Sequence, residues 1–328
     1  MKQFFLGSSL LKLYIYKKLK IQYAFPSRSL EMRVKEINVG WMQSTVKVNF
    51  RRWVRTHPTK ILILFTMLLL IPLQAQQRIV ALSPVINELL FALDCGECVV
   101  ANTNYSSYPA HSKNLPKVGG FFDVSFEAIL KAKPTLVIMQ QNNIKLQKRL
   151  GSFGIASSVI KVNRLSSIKE AIITIGQLTH REDRANEIVN QIESKLQEIG
   201  NIVTNKKILM VIGESTKLHK GTFIVGHDLY LNDIIEASGN HNAFASKLIK
   251  QPILNYENII ATRADIVIIL APYLKSPKEE IIKAWQNVPI PASKNRNIFI
   301  IDKEYASIPS DRMVLFLEEF IEILKFIK

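Results

Sequence analysis

"FEAILKAKPTLVI" occupies residues 126–138, and "YENIIATRADIVI" occupies residues 256–268. Aligned, the two stretches share an aromatic, a Glu, aliphatic pairs, a basic residue and a closing apolar run, in register and 130 residues apart. Each reads as a short helix followed by a buried strand, "TLVIMQ" (135–140) and "DIVIIL" (265–270). An unbroken apolar run suits a strand covered on both faces, as in a parallel sheet flanked by helices. A unit repeated at this distance predicts two similar α/β lobes.

The flanking sequence fits that plan. "RIVALS" (78–83), "VVANT" (99–103) and "IASSVI" (155–160) supply the other strands of the first half. "KKILMVIG" (206–213), "TFIVG" (222–226) and "NIFIID" (297–302) supply those of the second. Between them, Ser167-x-x-Glu170 and Thr179-x-x-Glu182 match capping boxes. Ala185, Ile188, Val189, Ile192, Leu196 and Ile199 then recur at helical spacing up to Gly200. A single helix joining two lobes limits hinge opening and leaves a largely pre-formed gap. The predicted fold class is α/β: two Rossmann-like lobes with mostly parallel sheets, joined by one long backbone helix, with a ligand cleft between the lobes. The expected segments are a leader over 1–75, an N-terminal lobe over 76–165, a helical linker over 166–203 and a C-terminal lobe over 204–328.

The formal charge of +16 is concentrated at the N-terminus, where residues 1–75 hold 13 Lys+Arg and 2 Asp+Glu. The remaining body is only mildly basic, which argues against a nucleic-acid footprint. "RRWVRTHPTK" precedes "ILILFTMLLLIPL", an apolar run too short for the roughly 20 residues of a membrane span. A basic flank, a short apolar core and the small residue Ala75 predict a signal peptide cleaved after Ala75, with an uncleaved anchor as the other reading. Residues 1–41 read as an over-extended start, because Met42 leaves a leader of ordinary proportions.

"RIVALSPVINELLFAL", "NYSSYP", "KVGGFFDVSFEAILKAKPTLVI" and "GHDLYLNDIIEASGNHNAF" together resemble the helical-backbone (class III) periplasmic substrate-binding proteins of ABC importers. Members of that family carry cobalamin, haem or ferric siderophores, and the resemblance spans about residues 78–327. It implies a monomeric receptor, not an enzyme, that binds its ligand between the lobes and docks on an inner-membrane permease dimer. It also implies that the equivalent acids Glu127 and Glu257 each meet an arginine pocket on the permease.

Candidate ligand contacts follow from residue type and position. Tyr105 and Tyr108 follow the second strand, at the end where open α/β sheets bind ligands. Phe121 and Phe122 are adjacent loop aromatics, and flat apolar walls suit corrin or porphyrin rings. His227 lies at a strand-to-helix junction; Tyr305 and Arg312 flank the turn before the last helix, which the resemblance implies borders the cleft, where the Arg312 charge suits a siderophore or propionate, with pairing to Asp311 or a neighbour as its alternative. For each, a core or capping role is the alternative. His111, His180, His219 and His241 share no chelating spacing, so no metal site is predicted.

Cys95 and Cys98, the two cysteines of the chain, form a C-x-x-C. A thiol oxidoreductase places that motif at a helix N-terminus, where the dipole stabilises a thiolate. Here "INELLFAL" precedes it, so Cys95 falls at a helix C-terminus. A structural disulfide and buried thiols both remain open, with thiol oxidoreduction as the alternative function. An enzyme on a related two-lobed fold would need clustered cysteines or a convergent acid–base set.

Overall fold

The computed structural model describes residues 77–246 and 252–327. The predicted leader and its cleavage after Ala75 lie outside the described residues.

In the first lobe β1 (Ile79–Ala81), β2 (Val99–Asn102), β3 (Leu136–Gln140) and β4 (Ala156–Ile160) form one parallel sheet in the order β2-β1-β3-β4. The second lobe contains β5 (Lys207–Ile212), β6 (Thr222–Phe223), β7 (His241–Asn242), β8 (Ile253–Leu254), β9 (Ile266–Leu270) and β10 (Ile298–Ile301). Its parallel sheet runs β7-β5-β9-β10, the same second-first-third-fourth order as the first lobe. The internal repeat is therefore topological. The strands β3 and β9, which carry it, pair with the first strand of each lobe in equivalent places. The fold is two α/β lobes with parallel main sheets, as the apolar runs required.

One strand differs from expectation. Within "TFIVG" only Thr222–Phe223 is strand, and it pairs antiparallel with Ile253–Leu254 outside the main sheet. The second place in that sheet, which "TFIVG" was expected to fill, belongs to His241–Asn242, beside Lys207–Ile208. Two residues carry no readable period.

Helices cover the sheets: α1 (Pro84–Ala92), α2 (Phe126–Lys131) and α3 (Lys145–Ser152) in the first lobe. The linker contains α4 (Leu165–Thr179) and α5 (Glu182–Glu198). Beyond it come α6 (Tyr230–Ala237), α7 (Tyr256–Thr262), α8 (Lys278–Gln286), α9 (Pro291–Lys294) and α10 (Met313–Ile327). The long helix is α5, whose Ala185, Ile188 and Ile192 are buried as the spacing predicted. At 1.5 Å per residue it reaches about 25 Å. A second helix, α4, runs back along it, so the brace is a helical hairpin. Gly176 of α4 is where they touch: a Cβ there would lie 2.5 Å from Cβ of Ala185.

The caps differ from the pattern that suggested them. α4 begins at Leu165, and Ser167 reaches back from its first turn to accept from Arg164 N–H at 3.0 Å. Thr179 closes α4, its hydroxyl donating to the carbonyl of Ile175 at 2.7 Å. Neither residue is an N-cap.

The hairpin holds both lobes. At one end Asp233 of α6 accepts from Leu165 N–H at 2.8 Å and from Arg164 Nε at 2.9 Å. At the other, Gln77 donates to the carbonyl of Leu178 at 2.7 Å, and Arg184 donates to that of Ala92 at 3.0 Å. Side chains from the first lobe (Leu89, Ile138), the hairpin (Ile172, Ile188), and beyond it (Ile268, Phe316) belong to one apolar cluster. Lobe separation is fixed by packing as well as by connection.

Cys95 and Cys98 form a disulfide that closes the turn after α1. Cys95 is buried, and the pair follows the carboxyl end of α1, where the dipole opposes a thiolate. That placement gives no support to thiol oxidoreduction. Replacing both cysteines by serine should lower stability by about 2 kcal/mol, from the loop entropy of so short a bridge. Denaturant unfolding with and without reductant checks this. An unchanged midpoint would mean the bridge adds no stability.

Candidate ligand cleft and docking acids

Side chains that follow the carboxyl ends of parallel strands converge at the natural binding edge of such sheets. Here those edges supply the Tyr105–Tyr108 loop after β2, Tyr273 after β9, and Glu304–Arg312 after β10. They converge on Arg312. Its guanidinium donates to Glu88 of α1 through Nε at 2.9 Å and Nη2 at 2.5 Å. The Ser310 hydroxyl donates to the same carboxylate at 2.6 Å. The central carbon of the guanidinium lies over the ring of Tyr108, 3.9 Å from its centroid. This bidentate pair joins residues 224 apart in sequence, one in each half of the chain.

The tyrosine loop is held from below. Asn87 Nδ2 donates to the carbonyl of Tyr108 at 2.8 Å, and Asn102 Nδ2 donates to Asn87 Oδ1 at 2.8 Å. Lys117 Nζ donates to Asn102 Oδ1 at 2.7 Å and to the carbonyl of Ser112 at 3.1 Å. Burial lowers the Lys117 amine below its ordinary value. On this footing Tyr105 and Tyr108 remain 67% and 42% exposed, so their faces are offered outward. Tyr273 is similarly exposed; partial burial and the Glu304 carboxylate push its phenol up.

Phe121 and Phe122 meet edge to face, with ring centroids 4.8 Å apart. Their loop is fastened to the end of β3, because Asn142 and Asn143 both donate to the carbonyl of Phe121, at 2.8 and 3.1 Å. Phe122 is the exposed member and Phe121 is half-buried. The other predicted contacts have partners inside the protein. His227 Nε2 sits 2.6 Å from the carbonyl of Phe244. The Tyr305 hydroxyl donates to Glu319 of α10, and burial with that carboxylate pushes its pKa up. Arg312 is spent on Glu88 rather than on Asp311, the neighbour the sequence suggested. Glu88, Asn87 and Tyr273 were not singled out by sequence; the polar pair Asn87–Glu88 inside the apolar run "PVINELLFAL" was the available signal.

Asp311 carries the largest carboxylate perturbation described. Burial, reinforced by Glu88, pushes its pKa up to about 6 from 3.8. Its Oδ1 is buried without a hydrogen-bond partner. Between pH 4 and 6 the native state holds a proton that the unfolded chain has lost, so stability falls as pH rises through that window. The full loss is on the order of 3 kcal/mol. Asp311→Asn should flatten the curve of unfolding free energy against pH between 4 and 6; the same slope in variant and parent would assign it elsewhere.

The docking candidates occupy equivalent positions. Ser125 caps α2, its hydroxyl accepting from Ala128 N–H at 3.2 Å, and Asn255 caps α7, accepting from Asn258 N–H at 2.9 Å. Glu127 and Glu257 each sit two residues beyond the cap, exposed in the first turn, where the helix dipole favours an anion. A separate groove of about 720 Å³ runs beside β10, between Lys195, Lys278, Phe299 and Glu322. It shares no residue with the Arg312 node. Among the described residues no group of three or more His, Cys, Asp or Glu is placed to hold a metal ion.

Comparison with known proteins supports the architecture. A vitamin B12-binding protein of Yersinia pseudotuberculosis is 23% identical over 217 residues, covering 65% of this chain and 76% of that protein. The periplasmic vitamin B12 binding protein of Vibrio cholerae superposes with a TM-score of 0.64 at 18% identity, over 76% of this chain and 97% of its own. The periplasmic heme binding protein of the same organism superposes with a TM-score of 0.65 at 24% identity, over 76% and 99%. These likenesses establish the fold. The family model for periplasmic binding proteins matches residues 79–305, most of both lobes and the whole hairpin between them, and the chain belongs to that family.

Proposed function

We propose that the chain is a receptor that captures a corrinoid of the cobalamin type between its lobes and delivers it to an ABC permease in the inner membrane. The place of work is the periplasm, as the family implies; export by a signal peptide ending at Ala75, and action as a monomer, are parts of the proposal. The observation that carries the choice of cargo is the state of Arg312. Its charge is already matched by Glu88, so the node offers aromatic faces without a spare cation. Such a wall favours a broad, flat and electrically mild ligand, bound by area burial in a pre-organised gap where little ordering entropy is lost. Relatives named as vitamin B12-binding proteins point the same way.

An iron complex is the second reading. The exposed phenol of Tyr105 offers a hard oxygen that suits ferric iron, and solved structures with this fold include a heme binding protein. Glu127 and Glu257 are the proposed contacts with the permease, and Tyr105, Tyr108, Phe121 and Phe122 the proposed contacts with cargo. His227, Tyr305 and Arg312 act behind them, through the partners described above.

Titrating the mature chain with cyanocobalamin, haemin and a ferric catecholate, with Trp fluorescence as readout, tests the cargo. Saturable quenching by cyanocobalamin at lower concentration than by either iron complex is expected. Preference for an iron complex would transfer the assignment to the second reading.

A further inference from the structure

We infer that Glu88 is a positioning residue for the cleft: by gripping Arg312 edge-on, it sets a flat guanidinium against which the ring of Tyr108 is laid. The inference rests on the cleft reading above. Two neighbours on one turn of α1 act on the same tyrosine. Asn87 fixes its main chain through the carbonyl at 2.8 Å, and Glu88 fixes its ring through Arg312 at 3.9 Å. Glu88 is 2% exposed and Asn87 is fully buried, so neither reaches solvent to do anything else.

Stability alone is a poor account of this ion pair. Two charges withdrawn from water lose hydration that their mutual attraction only roughly repays, and apolar residues of similar size in their place are often as stable. A planar cation with fixed edges supplies what apolar side chains do not. Held by two parallel hydrogen bonds, it has one orientation, and an aromatic ring stacked on it inherits that orientation. Ser310 adds a third hydrogen bond to the carboxylate and removes its remaining freedom. Because Glu88 and Arg312 come from opposite halves of the chain, the tie also sets where the Tyr108 loop meets the Glu304–Arg312 segment.

The test removes the pair without stranding either charge. In Glu88→Leu/Arg312→Met, made in the full chain, the fold is expected to persist while the ring of Tyr108 loses its platform. Fluorotyrosine-labelled protein reports the ring directly, its Tyr108 line assigned by Tyr108→Phe. One sharp fluorine line in the parent should shift and broaden in the double variant. Cyanocobalamin affinity should fall roughly tenfold, the factor equivalent to one well-placed aromatic contact, mostly through faster dissociation. An unmoved Tyr108 line overturns the inference whether or not any ligand binds. A moved line with unaltered cyanocobalamin affinity upholds the positioning role and counts against the cleft reading. Arg312→Lys, which keeps the charge and loses the plane, should resemble the double variant in the Tyr108 line.

Discussion

Reversing both proposed docking acids, Glu127→Arg with Glu257→Arg, is expected to reduce ligand-stimulated transport to background while ligand affinity stays within about twofold of the parent. The reason lies in the duplicated geometry. Each acid is exposed in the first turn of a capped helix, Ser125 holding α2 and Asn255 holding α7. Each therefore projects from a fixed point on its own lobe. On the proposed docking, reversal replaces attraction to a cationic pocket of the permease by repulsion at two places at once, and like charges brought together at an interface cost several kcal/mol. Neither carboxylate takes part in the Arg312 node, which is why affinity should survive. Transport measured in vesicles containing the permease, alongside cyanocobalamin binding by the isolated receptor, separates the two effects. Transport at parental rates would remove both residues from the docking surface.

The second large effect concerns a charge left alone. Arg312→Met strands the Glu88 carboxylate at 2% exposure, with Ser310 its one remaining hydrogen-bond partner among the described residues. Losing one member of a buried pair costs about 3–5 kcal/mol. The single variant should accordingly unfold at much lower denaturant, and adding Glu88→Leu to it should restore most of the loss. A chevron or equilibrium urea series on parent, single and double variants reads this out. If Arg312→Met lies within about 1 kcal/mol of the parent, Glu88 is not the isolated charge the geometry describes.

Strands β1, β3 and β9 were legible in the sequence because a strand covered on both faces must be apolar without interruption. The brace was legible through the spacing of Ala185, Ile188 and Ile192. Its companion α4 was half legible: Ser167-x-x-Glu170 announced a helix start, but its first cap was not legible, because the group that accepts from Leu165 N–H is Asp233, 68 residues later. Local patterns cannot register a partner contributed by another lobe, and so Ser167 was read as the cap. The same limit hid Glu88. An acid inside an apolar helix looks like a surface residue until its arginine, on the far half of the chain, is in place. Arg312 was noticed for its charge, and the structure shows that charge already answered.

The helical hairpin has an electrical consequence. Peptide dipoles in the antiparallel α4 and α5 run in opposite senses, so the half-charges at their ends offset one another. A lone rod in that place would leave one lobe slightly positive and the other slightly negative. With the pair, the girder adds less polarity of its own across the gap, and more of it is left to side chains, each of which can be edited separately.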